Sequence, residues 1–344
     1  LRCLVGSEMC IRDRGYHVIG ATMRLWTYSD SCNMKHEGCC AESAVEDARR
    51  VCDKLGIDFY VMNFKDMFKD KVVDYFVDEY IHGRTPNPCI ACNKYLKFDA
   101  LLKKALAMGI DYVATGHYAK IEKGEDGKYI LRASEAVKKD QSYVLYNFTQ
   151  EQIAHTLMPL GGYNKDWVRQ KAEELGLGVA HKPDSQEICF VEDDDYAKFI
   201  TDYSGYKPKE GDILDVNGNV IGKHRGLIYY TIGQRKGIGA YGRPMFVMKI
   251  DAENNTITLG EKGMEFSNEL TAYDVNFVSG EFPKENMLIT AKVRYQAPPA
   301  AAMLCPQKDG TVKLMFPEPQ RAVTPGQAVV FYDGDIVLGG GTVL

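Results

Sequence analysis

At 344 residues the chain is long enough for two or three domains with full cores. Its ten cysteines are too sparse for a disulfide scaffold and read as thiols with catalytic or metal roles in a reducing cytoplasm. A net charge of −5 excludes a generally basic nucleic-acid coat, leaving room only for local basic stretches, and no apolar run approaches the roughly 20 residues of a membrane span.

Residues 1–14 show neither period nor turn chemistry and read as an appendage; Glu8, Arg12, Asp13 and Arg14 interrupt any secretory apolar region. From Gly15 the pattern sharpens. His17 to Met23 reads as a strand, and Ala41 to Leu55 as an amphipathic helix with Ala44, Val45, Ala48, Val51, Cys52 and Leu55 on one face, ended by Gly56. A strand over Asp58 to Phe64 and a helix over Val72 to Ile81 follow. Then come Thr85-Pro-Asn-Pro-Cys89-Ile-Ala-Cys92, where Pro86 and Pro88 hold the chain extended so that a helix begins at Cys89. Apolar residues at helical spacing (Tyr95, Phe98, Leu101, Leu102, Ala105) carry it to a stop at Gly109. Cys89 and Cys92 then lie in the first turn, where the helix field favours thiolate. From spacing alone the pair is open between reactive thiols, half of a zinc site and two small buried residues.

Asp111 to Thr115 reads as the next strand, so strands alternate with helices and predict a parallel sheet, with ligands at the carboxyl ends near Met23 and Gly116-His117. A hairpin around Gly124 to Gly127 leads to Lys138-Lys139-Asp140-Gln141-Ser142-Tyr143. Thr149 with Gln152 predicts a capping box, and Asn164 caps a helix carrying Trp167, Val168 and Leu175 that stops at Gly176. Cys189 falls in a short loop or strand after Pro183. Beyond about residue 205, turns at Asn217-Gly218, Asn254-Asn255, Asp309-Gly310 and Asp333-Gly334 alternate with β-rich runs, so the last third is all β. Within it, Gly222 to Gly237 sets four cationic side chains and Tyr229-Tyr230 among glycines, which suits phosphate contacts and base stacking as well as a solvated hairpin face.

The ordered set Gly38-Cys39-Cys40, Gly83 to Asn93, Ala114 to Tyr118, Lys139 to Tyr143, Asp184 to Phe190, Tyr230 to Lys236, Val293-Arg294-Tyr295 and Pro325-Gly326-Gln327 resembles the tRNA-specific 2-thiouridylase family over residues 15–344. The resemblance implies an adenine-nucleotide hydrolase-like (Rossmann-like) α/β domain over 15–204, a central β module over 205–266 and a β-barrel over 267–344. It implies ATP-dependent replacement of the C2 oxygen of the wobble uridine by sulfur, with ATP and Mg2+ as cofactors. Cys189 is then the persulfide carrier, loaded by a sulfur-relay protein or cysteine desulfurase, and Cys92 the thiol that forms a disulfide with it. Met23 and Gly116 match adenylate contacts. Asn87, Pro88 and Cys89 match the segment that meets the target base. His117, Lys139, Asp140, Gln141, Arg294, Tyr295 and Gln327 match contacts to the anticodon stem-loop.

The family opens with a strand, a Ser-Gly-Gly-x-Asp-Ser phosphate loop and a helix, and residues 1–14 carry no glycine pair. The expectation is that this segment is foreign to the family and that the chain binds ATP poorly, which leaves a catalytically silent tRNA-binding protein as the alternative. A structural zinc protein using Cys39, Cys40, Cys89 and Cys92 with Cys32 or His36 is the other competing class. Adjacent Cys39 and Cys40 suit tetrahedral ligation badly.

Overall fold

The structure is a computed structural model that describes residues 15–26, 42–135, 139–178, 188–191 and 194–344. The appendage, the Gly38-Cys39-Cys40 motif, Cys32, His36, Lys138, Pro183 and the Asp184 to Glu187 part of the Cys189 motif lie outside these residues.

The first domain begins with strand β1 (Ile19–Arg24), helix α1 (Glu42–Leu55) and strand β2 (Asp58–Asn63), with β1 and β2 parallel and Met23 opposite Met62. Helix α2 (residues 65–81) starts seven residues earlier than its periodicity predicts and passes through a π-helical stretch over Lys69–Asp74. The charged run Asp66 to Lys71 hides its first turns, but Phe68 is buried there and anchors them.

Helix α3 (residues 88–107) carries the cysteine pair. It starts at Pro88, one residue before the expected point. Proline suits the first helical position because its missing N–H is unneeded there, and Asn87 caps the end by accepting from the Cys89 and Ile90 amides at 3.1 and 3.3 Å. Gly109 ends the segment in the left-handed region at φ 77°, as expected. Tyr95, expected on the apolar face, is exposed, because residues Cys92–Ala100 are π-helical and depart from the 3.6-residue period.

The expected strand at 111–115 shrinks to β3 (Val113–Ala114). Hairpin β4 (Ala119–Lys123) and β5 (Tyr129–Ala133) forms where the glycines predict it. A short 3-10 turn (Ser142–Leu145) and helix α4 (Gln150–Ala154) follow, the latter with the complete Thr149/Gln152 capping box. Strand β6 (Thr156–Leu157) pairs in parallel with β3, and helix α5 (Lys165–Glu174) takes Asn164 as its cap. Among the described residues of the first domain, parallel pairing is thus split into two two-stranded sheets rather than one continuous sheet.

Helix α6 (Tyr196–Ser204) leads into the central module, whose strands β7 (Gly211–Leu214), β8 (Val220–His224), β9 (Met245–Asp251) and β10 (Thr256–Glu261) lie in the order β8-β7-β10-β9. The last domain holds β11 (Phe266–Phe277), β12 (Met287–Lys292), β13 (Ala300–Pro306), β14 (Val312–Arg321), β15 (Ala328–Asp333) and β16 (Ile336–Val343). They pair antiparallel in the order β11-β14-β13-β12-β15-β16, and β11 also pairs with β16, closing a six-stranded barrel.

The cores explain how the domains are joined. One apolar cluster unites Met23, Phe68, Val73, Phe76, Ala91, Cys92, Leu96, Phe190 and Ile200. A second joins Ile90 and Phe98 of α3 and Tyr143 and Tyr146 of the 142–146 segment to Val278, Ala328, Val330, Tyr332 and Val337 of the barrel domain. Helix α3 is therefore buried on both sides, and the second core is built jointly by the first and last domains. The hairpin reinforces this, since Arg132 of β5 pairs with Ile336 of β16 and extends the barrel sheet.

Candidate active site

Local chemistry decides where each thiol of α3 goes. Cys89 follows Pro88 in the first turn and is exposed, whereas Cys92 is buried against Leu96. The helix field fades beyond the first turn, so it acts chiefly on Cys89 and reaches Cys92, four residues after Pro88, only weakly. Cys189 is half-buried and packs, with Ile188, against the cluster that contains Cys92. Two thiols separated by most of the first domain are thus brought to one apolar centre, and among the described residues no disulfide joins them. The sequence places Cys189 among polar residues; the buried Phe190 and Val191 beside it turn it inward.

The motifs around Gly116 and Asp140 hold each other. Gln141 accepts from the Tyr118 amide through its side-chain oxygen at 3.0 Å and donates its own amide to the Tyr118 carbonyl at 2.9 Å. Asp140 accepts from the Ser134 and Ser142 amides at 3.0 and 3.2 Å and from the Ser142 hydroxyl at 2.8 Å. This clasp fixes Gly116, which is buried after β3, and His117. His117 is buried beside Phe98, with Nδ1 2.9 Å from the Thr115 hydroxyl. Burial first, and then the nearby Lys97 charge, hold its pKa well below the usual histidine value. Lys139 is exposed.

The barrel closes the site from the other side. Tyr295 donates to the Asp140 carbonyl at 3.1 Å, and its ring meets Tyr143 edge-on at 5.7 Å. Burial first, and then the Asp140 carboxylate and the Cys89 sulfur, push the Tyr295 phenol up. Arg294 is half-buried and makes no salt bridge among the described residues. The turn Pro325 to Gln327 binds the approach to α3: the Thr85 amide donates to the Pro325 carbonyl at 2.9 Å, and the Gln327 side chain donates to the Thr85 carbonyl at 2.9 Å. Beneath it Arg84 grips the buried Glu79 carboxylate.

The central module corrects one expectation. Tyr230 is a core residue at 5% exposure and has no face for a base, while Arg225 lies 4.0 Å over the partly buried Tyr229 ring; Arg235 and Lys236 remain exposed. Sequence reasoning missed three further groups. The Thr22 hydroxyl beside Met23 and the Asn93 side-chain oxygen beside Cys92 are buried with no hydrogen-bond partner among the described residues, and Lys292 lies over Tyr143 and Tyr295. A short buried Thr in a strand carries no signal of this kind, and Lys292 stands only one residue before the motif that was noticed. Among the described residues no His, Cys, Asp or Glu cluster is arranged to hold a metal, although Cys32, His36, Cys39 and Cys40 are outside that set.

An α/β domain that gathers two thiols at one apolar cluster is followed by two β modules, and three family profiles match the chain in succession. One described as tRNA methyl transferase HUP domain matches residues 6–193, one described as tRNA methyl transferase PRC-barrel domain matches 197–261, and one described as aminomethyltransferase beta-barrel domain matches 267–343. The tRNA-specific 2-thiouridylase MnmA of Acetivibrio thermocellus is 57% identical over 334 residues, covering 96% of this chain and 93% of the relative. Its namesake in Clostridioides difficile is 56% identical over 335 residues, covering 97% and 92%. The MnmA 1 protein of a Thermoanaerobacter species is 55% identical over 340 residues, covering 98% and 93%. The chain belongs to the tRNA-specific 2-thiouridylase family of sulfurtransferase enzymes. Among the described residues no helix is long and apolar enough to cross a membrane.

Proposed function

We propose that this chain replaces the C2 oxygen of the wobble uridine of tRNA by sulfur in an ATP-dependent reaction. The observation that carries the reading is the burial of Cys92 in the cluster against which Cys189 packs, because transfer from one thiol with release by a second requires both at one place.

The residues at the carboxyl end of β1 suit a nucleotide. Thr22 offers a buried hydroxyl without a partner among the described residues, Met23 supplies an apolar surface beside it, and Gly116 lets backbone approach closely. ATP, with Mg2+, when bound there, supplies adenylation of the poor C2 oxygen leaving group. Asn87, Pro88 and Cys89 line the place for the extruded base, and Arg294, Tyr295, Lys139 and the 116–118 loop lie around the anticodon-loop path. Cys189 carries sulfur as a persulfide received from a relay protein or cysteine desulfurase. Its terminal sulfur bonds to C2 as AMP departs. The Cys92 thiolate then attacks the Cys189 sulfur, the persulfide S–S bond breaks, and sulfur stays on the base while a Cys92–Cys189 disulfide forms. A two-electron reductant returns both thiols.

Incubation with tRNA bearing a wobble uridine, ATP and a persulfide donor is expected to yield 2-thiouridine, read by retarded migration in a mercury-containing gel. Thiolation that proceeds equally without ATP, or without Cys189, would reject the reading.

A further inference from the structure

The outer face of barrel strand β12 carries a cation that no motif singles out. Along this strand Ile289, Ala291 and then Val293 are buried in the barrel core, so Thr290 and Lys292 alternate onto the opposite face. That face is turned to the first domain: Lys292 pairs with Val330 and Thr290 with Tyr332, and both partners belong to the core shared with α3. The Lys292 ammonium lies 5.9 Å from the Tyr143 ring centre and 5.8 Å from that of Tyr295. It makes no salt bridge among the described residues. The neighbouring carboxylate, Asp140, already accepts three hydrogen bonds from Ser134 and Ser142. Half-burial lowers the Lys292 pKa, and Asp140 only partly opposes this. Arg294, likewise without a salt bridge among the described residues, stands two positions on.

An ammonium held half out of water and without a salt bridge among the described residues gains most from a compact anion rich in acceptors. A lysine is a point charge with three donors, suited to a phosphate oxygen rather than to the planar edge of a base. The tyrosine rings hold it in place without neutralising it. We infer that Lys292 binds a backbone phosphate of the RNA loop beside the nucleotide that faces Cys89, an inference that rests on the tRNA reading above.

The test measures affinity of the full chain for wobble-uridine tRNA, without ATP so that only RNA phosphates are read, across a series of KCl concentrations. Each phosphate contact contributes close to one unit of slope in log affinity against log salt, about 0.7 for single strands. Lys292→Met is expected to weaken binding and flatten the slope by about that amount, and in separate turnover assays with ATP to raise KM for tRNA more than it lowers kcat, while Lys292→Arg keeps the parental slope. Lys292→Gln retains part of the stem over the rings and serves the same comparison if the methionine variant melts early. A parental slope in both neutral variants, with a lowered melting temperature, would mean that Lys292 only staples Tyr143 to Tyr295, and the inference falls alone. If the parent chain shows no salt-dependent affinity for tRNA, the tRNA reading falls and takes Lys292 with it.

Discussion

The side-chain amide of Gln327 donates to the main-chain carbonyl of Thr85 at 2.9 Å, spanning 242 residues of sequence. Together with the Thr85 amide bound to Pro325, it makes one barrel turn the support for the segment that aims Asn87 and Cys89. Gly326 between them has φ +86°, and a Cβ there would lie 3.0 Å from both the Arg84 Cβ and the Thr85 nitrogen. Gly326→Ala is expected to cost about 1–3 kcal/mol through strain and crowding, and Gln327→Ala about 1 kcal/mol through the lost bond. Denaturant midpoints rank the two; equal midpoints in both variants and the parent would contradict this seam.

Gln141→Ala leaves the buried Tyr118 amide without its acceptor, at an expected cost of about 1–3 kcal/mol. Asp140→Asn keeps one acceptor oxygen and costs less. Both are expected to raise KM for tRNA, since the clasp sets His117 and the surface around it, and steady-state thiolation alongside thermal melts checks the pairing of the two effects.

These two cases mark what was legible from residues alone. The Thr149/Gln152 box, the Asn164 cap, the Gly109 stop and the β turns at glycine all follow from contacts a few residues apart, so sequence spacing contains them. The nearness of Cys92 and Cys189 came from the family resemblance, not from spacing. The internal use of Asp140, Gln141 and Gln327 depends on tertiary hydrogen bonds that no local pattern encodes. The burial of Tyr230 is not legible because it follows a 3-10 turn over Leu227–Tyr229 rather than a hairpin strand, and the early start of α2 is hidden because charged residues on the outer side outnumber its first apolar anchors.

Burial of neutral His117 makes stability depend on pH. Its folded pKa lies well below the ordinary 6.5, so the unfolded chain takes up a proton first. The stability it contributes is complete above that value and is lost as pH falls through it toward the folded pKa. His117→Gln is expected to flatten the decline in denaturant midpoint between about pH 6.5 and 5. Parallel declines in parent and variant would mean that His117 is not held neutral.

Sulfur labelling separates the two central thiols. Cys189→Ser is expected to take up no label from a persulfide donor, whereas Cys92→Ser retains label on the protein but passes it to tRNA only at background level. Cys89→Ser is expected to keep label uptake and lose efficiency of transfer. Autoradiography of protein and RNA fractions from one reaction distinguishes the three; label uptake by Cys189→Ser equal to the parent would reverse the assignment.

The hairpin β4–β5 joins the barrel sheet through β5, and Tyr143 and Tyr146 lend their rings to the core beneath. A chain severed before Phe266 would present an open strand edge and a greasy wall of tyrosine, valine and alanine partners to water. Excised fragments of either half should therefore precipitate or cling to chaperones, and the two ends of this polypeptide are expected to melt in a single transition.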